Sequence, residues 1–149
     1  VYDGAVPSGN SVMAESLAYL AVIFDNRAWQ QQAEQMLTSI ASGVLRYPTS
    51  FGIWASLLQQ YTFGVNEVVV VGKEYINQRN MLLKQYLPEL ILQTAPIQNS
   101  NLPMLKGKDP GEETLFYLCR QYSCKSPVNT VEKLLEQVAE QTKFKAESQ

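Results

Sequence analysis

Four consecutive valines, Val68 to Val71, constrain the fold of this chain more than any other stretch. β-branched residues suit a pleated strand and are poor helix formers. Apolar at every position, the run needs cover on both faces, which is the pattern of a central strand in a parallel sheet. Gly72 follows it. A helix is then expected from about Glu74 to Leu87, ended by Pro88, and a second strand at Leu90 to Thr94. Strand, helix and strand would make a right-handed crossover unit. A long loop rich in Pro, Asn and Gly runs from Ala95 to Gly111, with a short turn at Leu102 to Leu105, and Thr114 to Cys119 reads as a third strand. Asn129 with Glu132 forms a capping-box-like start for a last amphipathic helix, which frays into the polar tail Lys143 to Gln149.

Before the valines the periodicity is helical. Val12 to Phe24 has only Glu15, Ser16 and Tyr19 as polar residues, and a helix apolar round most of its circumference is expected to lie buried between other elements. Ser8, Asn10 or Ser11 is placed to cap it, with Glu15 in the same first turn. Next, Trp29, Ala33, Met36, Leu37, Ile40 and Val44 recur at the three- and four-residue spacing of one helix face, while glutamines fill the other. Pro48 stops this helix, and Thr49 or Ser50 restarts another through Phe51, Trp54, Leu57 and Tyr61. Short connections pack consecutive helices as antiparallel hairpins. The expected architecture is α+β: α-hairpins over residues 1–63, then a small α/β unit over residues 64–149 with a mainly parallel three-stranded sheet.

Composition narrows the function classes. Charged residues make up 17% of the 149, below the usual level of about 25%, so some surface is expected to face other protein. The net charge of −2, with scattered basic residues, argues against nucleic-acid binding. No apolar run approaches the roughly 20 residues of a spanning helix, so no membrane segment is expected. Val1-Tyr2-Asp3-Gly4 carries neither a start methionine nor a signal pattern, and the chain is expected to begin within a longer protein. Two cysteines are too few for a disulfide framework, which favours a reducing cytoplasm. Histidine is absent, which removes Ser-His and Cys-His nucleophile pairs and imidazole metal ligands from this chain.

The residues best placed to form a site lie in the loop Asp3 to Ser11. Asp3, Ser8, Asn10 and Ser11 bring a carboxylate, hydroxyls and an amide to the start of a helix, where backbone donors and the dipole point into the loop. They are candidates for binding a small polar ligand; the alternative is that they cap the helix and bind nothing. Asp3 and Glu15 are the carboxylates of this region, and helix geometry gives no reason to pair them, so no catalytic residues are assigned and no cofactor is expected. Gly72-Lys73-Glu74-Tyr75 lacks the further glycines of phosphate-binding turns, and Glu74 would repel an anion, so it reads as an ordinary strand exit. Gly107 to Gly111 reads as a plain loop.

Cys119 and Cys124 form the remaining candidate set, of redox type. Their spacing fits neither a closed zinc site nor the C-x-x-C motif. Reduced structural thiols are expected, with a disulfide or redox-responsive pair, formed around a bend at Gln121 to Ser123, and a metal site as the alternatives. Cys119, ending an apolar strand, is expected to be buried. Cys124 is expected to be exposed and the more reactive, because the neighbouring Lys125 favours its thiolate.

Four motifs in order carry a resemblance: Asp3-Gly-Ala-Val-Pro-Ser-Gly-Asn-Ser11; Tyr47-Pro48-x-x-Phe51; Val68-Val-Val-Val-Gly72; and Thr114-x-x-Tyr117-x-Cys119-x-x-x-x-Cys124-x-x-Pro127. Together they resemble the C-terminal region of the thioredoxin-domain-containing family related to spermatogenesis-associated thioredoxin-like proteins. The resemblance implies a cytoplasmic parent with an N-terminal thioredoxin-like domain and a toroid of α-hairpins, similar to those of N-acylglucosamine 2-epimerases and six-hairpin glycosidases. This chain would then supply the last hairpins and an α/β appendage, with the toroid and the thioredoxin-like domain as its partners. Two functions follow as expectations. Either the Asp3 to Ser11 loop lines a pocket for a polar or sugar-like ligand, or the chain is a structural module that packs against and rigidifies its parent.

Overall fold

The valine run does form the middle strand of a sheet, but the sheet around it is mixed. The computed structural model describes residues 1–99, 101–121 and 123–146, with side chains as far as residue 141. Part of the long loop, the middle of the bend between the cysteines and the end of the polar tail lie outside these. The chain divides into two compact units, Val1–Gly64 and Val65–Gln149.

The first unit is helical: α1 (Gly9–Phe24), α2 (Arg27–Arg46), a 3-10 turn at Pro48–Ser50 and α3 (Gly52–Phe63). Ser8, not Asn10 or Ser11, is the N-cap of α1, accepting from the Ser11 N–H, and Glu15 lies beyond the first turn. Asn26 caps α2 through the N–H groups of Ala28 and Trp29. Leu37, Val44, Phe51, Trp54 and Leu57 build the core with Ala14. The side of α1 turned to this core is small, made of Ser11, Ala14 and Ala21. Burial of α1 on most of its circumference, expected from its composition, is not what the unit provides. Two partner helices cover one stripe, and Val12, Met13, Tyr19, Leu20 and Phe24 stay exposed.

The second unit holds β1 (Asn66–Val71), α4 (Tyr75–Leu82), β2 (Leu90–Ala95), β3 (Leu115–Arg120), β4 (Ser123–Cys124) and α5 (Val131–Ala146). The sheet is four-stranded with order β2-β1-β3-β4. Only β1 and β2 run parallel; β3 is antiparallel to β1, and β4 to β3. This corrects the expected mainly parallel three-stranded sheet, and the reason lies in the connection before β3. A parallel neighbour needs a crossover element to return the chain to the start of the sheet. Among its described residues the segment after Ala95 contains only the 3-10 turn Pro103–Leu105, and the chain re-enters with Leu115 beside Val71, at the end where β1 stopped.

The sheet carries cover on both faces. Val68, Val70, Phe116 and Leu118 pack with Leu82 of α4 and with Val131 and Leu134 of α5. Val69 and Val71 point the other way and are equally buried, and the turn holding the buried Met104 and Leu105 meets β1 and β2. α4 is shorter than expected. After Leu82 the chain tightens through bonds from Lys84 N–H to the Met81 carbonyl and from Gln85 N–H to that of Leu82. It then reverses at Glu89, with φ of 56°. Thr130, not Asn129, accepts the N–H of Lys133 at the start of α5. Asn129 instead donates to Glu113. α5 runs on to Ala146, through the first part of the stretch expected to fray.

Gly72 is where the strand exit meets the start of β3. Its φ of +138° suits glycine, and a Cβ there would lie 2.5 Å from the Thr114 Cα and 2.8 Å from the Glu113 carbonyl oxygen. The Thr114 hydroxyl accepts the Glu74 N–H at 2.9 Å, closing the turn.

Candidate functional site

Three of the four residues proposed at the first loop come together. Asp3 is 9% exposed. Its Oδ1 accepts from the Ser8 N–H at 2.9 Å and from the Ser11 hydroxyl at 2.5 Å. Oδ2 accepts from the Ile53 N–H at 2.9 Å, and the Trp54 N–H bonds the same carboxylate. Asn10 stands apart, exposed on the first turn of α1. Burial alone pushes the Asp3 carboxyl up, but the hydrogen bonds from Ser11, Ser8, Ile53 and Trp54 outweigh it and hold it below the ordinary carboxylate value.

The carboxylate therefore sits at the N-termini of two helices at once. α3 has no side-chain cap of its own, and Asp3 supplies one from 50 residues away. The surrounding bonds fix the chain start in place: Asp3 N–H donates to the Ser50 carbonyl at 3.0 Å, and Val1 O accepts both the Ser8 hydroxyl at 3.2 Å and the Trp54 indole N–H at 3.1 Å. Trp54 and Phe51 are core residues, and Phe51 meets the Tyr2 ring at 5.0 Å. A carboxylate offers about four acceptor sites. Here protein donors occupy them, so the loop is built as a double cap.

A second cluster lies in the sheet. Cys119 and Cys124 are paired as a disulfide, with Cα atoms 3.9 Å apart. The reduced state expected of them is corrected by their register: they face each other directly across β3 and β4. The expected burial pattern is present, Cys119 being 4% exposed and Cys124 being open to solvent. Lys125, expected to activate Cys124, is engaged elsewhere. Its ammonium donates to the Gln137 carbonyl at 3.0 Å and stands 3.5 Å from Glu140.

Reading the sequence had missed Glu67 and Lys108. Glu67, 3% exposed, is the cross-strand partner of Cys119 on β1 and accepts the Gln121 N–H at 2.9 Å. Paired residues share a sheet face, so this carboxylate lies on the side of Cys119. Burial holds the Lys108 ammonium below its ordinary value, against the opposing pull of the Glu67 charge, and Lys108 stands 5.5 Å over the Tyr117 ring. Tyr117 is pushed up, by burial first and then by Asp109. The signal in the sequence was a single charge abutting an otherwise apolar strand.

The strand exit at Gly72 borders an open polar depression of about 360 Å³, lined by Lys73 with Glu74, Glu112 and Glu113. Glu74 occupies the cap position of α4, so three carboxylates stand with the Lys73 ammonium around the depression. Among the described residues, no group of three or more Cys, Asp or Glu side chains is placed to hold a metal ion, and no helix is long and apolar enough to cross a membrane.

No family model matches the chain and no solved structure matches it. It is similar to an uncharacterized protein of Caenorhabditis elegans, 23% identical over 141 residues, covering 90% of this chain and 19% of the relative. It is also similar to spermatogenesis-associated protein 20 of Homo sapiens, 24% identical over 136 residues, covering 85% of this chain and 17% of the relative. The chain thus spans less than a fifth of the length of these relatives.

Proposed function

We propose that the helical unit is a packing module of a longer protein, and that the outer face of α1 is covered there by further helices of the same chain. The observation that carries this reading is the exposed apolar face itself. Met13, Leu20 and Phe24 are 54%, 38% and 50% exposed, at spacings of seven and four residues that align them along one side of α1. Val12 and Tyr19 lie beside them, seven apart. A helix with two apolar sides belongs between neighbours. Relatives of which this chain spans less than a fifth have the length to supply them. The toroid of α-hairpins implied by the motif resemblance would place a neighbouring hairpin against this face, with the α/β unit as an appendage. Asp3, with its oxygens filled from within, acts in this reading as the staple that keeps α1 and α3 in register, and no catalysis is assigned to these residues.

The test is the double variant Met13→Glu with Leu20→Glu. In the 149-residue chain it lowers dye-detected apolar surface and self-association, and leaves unfolding within about 0.5 kcal/mol of the parent sequence. In the longer protein the same pair buries two charges and costs about 2 kcal/mol or more. A longer protein that tolerates both charges, losing only concentration-dependent association, would make a second copy the occupant and sink the proposal.

A further inference from the structure

We infer that the Cys119–Cys124 disulfide is a thiol–disulfide exchange site, opened by a dithiol that attacks at Cys124, and that its state governs only the hairpin tip around it. The two sulfurs are unequally placed. Cys124 sits in the exposed two-residue β4, whereas Cys119 is 4% exposed beneath it. Access decides which sulfur a thiolate reaches, and here that sulfur is Cys124. A dithiol reductant balances the reaction. Its first thiolate forms a bond to the Cys124 sulfur, the Cys119–Cys124 bond breaks, and Cys119 departs with the electron pair and takes up a proton. The second thiolate of the reductant then attacks the reductant's own sulfur in the mixed disulfide, releasing Cys124 as thiolate. The reductant leaves as a disulfide, oxidised by two electrons, and the protein is reduced by two.

The surroundings confine the consequence. Among the described residues two pairs join β3 to β4, and one of them is the cysteine pair. On either side the chain is held independently of the sulfurs. Phe116 and Val128 exchange backbone bonds of 2.7 and 3.0 Å, and the Lys125 N–H donates to the Leu118 carbonyl at 2.9 Å. The Lys125 ammonium and the Ser126 carbonyl are bonded to Gln137 of α5 at 3.0 Å each. At the turn itself, Gln121 has a φ of 49°, and its N–H is held by Glu67 at 2.9 Å. Opening the disulfide therefore frees the tip at Ser123 and Cys124 of β4 while Gln121, the sheet and α5 remain pinned. A staple on which the whole unit depended would lack these duplicate ties.

The experiment uses the 149-residue chain, oxidised glutathione as the thiol-reactive probe and dithiothreitol as the dithiol. Cys119→Ala, which leaves Cys124 free, forms the mixed disulfide with glutathione about tenfold or more faster than Cys124→Ala, which leaves only the buried Cys119. Equal rates, or faster trapping at Cys119, would overturn the assignment. In unsubstituted protein, where folding of the variants is not in question, dithiothreitol raises hydrogen exchange at the tip and leaves β1 and α5 as protected as before. Loss of protection across β1 or α5, or no change at the tip, would equally overturn it.

Discussion

Replacing Asp3 by alanine tests the double cap directly. At α3 the loss is complete, because no local side chain caps that helix, and a lost N-cap costs about 1 kcal/mol. At α1 the damage is partial. Ser8 still accepts the Ser11 N–H at 3.1 Å, but the Ser8 N–H and the buried Ser11 hydroxyl lose their charged acceptor, worth about 1 kcal/mol more. Removing a negative charge from two helix N-termini adds about 0.5–1 kcal/mol. The sum is about 2–4 kcal/mol for Asp3→Ala. Both tryptophans of the chain, Trp29 and Trp54, lie in the helical unit, so their fluorescence in urea follows that unit alone. The expected result is a lower midpoint at unchanged slope. A loss below about 0.5 kcal/mol, the level of an ordinary surface substitution, would refute the staple.

Two further outcomes follow from the same structure. Because the folded Asp3 carboxyl titrates below its ordinary 3.8, its contribution is fully present above that value and disappears as pH falls through the lowered one; acid titration of tryptophan fluorescence should show that Asp3→Asn removes this part of the acid sensitivity. Gly72→Ala would force a Cβ to within 2.5 Å of the Thr114 backbone at a φ of +138°, and thermal melting by circular dichroism should show the α/β unit destabilised by about 2–4 kcal/mol.

What the sequence disclosed, and what it withheld, follows the range of the interactions. Val68 to Val71 announced a central strand because cover on two faces leaves its mark on every position. The direction of the neighbouring strands leaves no mark on those side chains. It was decided by the connection from Ala95 to Thr114, whose described residues form no α-helix to carry the chain back. Ser8 was legible as a cap because its partner lies three residues on. Asp3 as the cap of α3 was not, because its partner lies 50 residues on and Phe51-Gly52 gives no hint of one. Composition showed α1 to be apolar almost all round, yet not which side the rest of the unit covers. The five-residue spacing of the cysteines suited a strand or a bend equally, and only the register of β3 with β4 brings them face to face. Glu67 was passed over because one charge beside a valine run looks like the end of a strand, when it is a residue within it.

The two borders of the sheet are unlike, and that bears on how these molecules would aggregate. Beyond β3 the chain has already lined its own border, through Cys124, Ser123 and Val128, and the two-residue β4 is too short to template another strand. Beyond β2 no strand is paired among the described residues, and Leu90-Ile-Leu-Gln-Thr-Ala95 contains neither a charge nor a proline to repel one. Among the described residues, β2 is therefore the one sheet border left for edge-to-edge growth. Two copies joined through β2 would consume both such borders, so that this route of association terminates at a pair and does not propagate into a fibre.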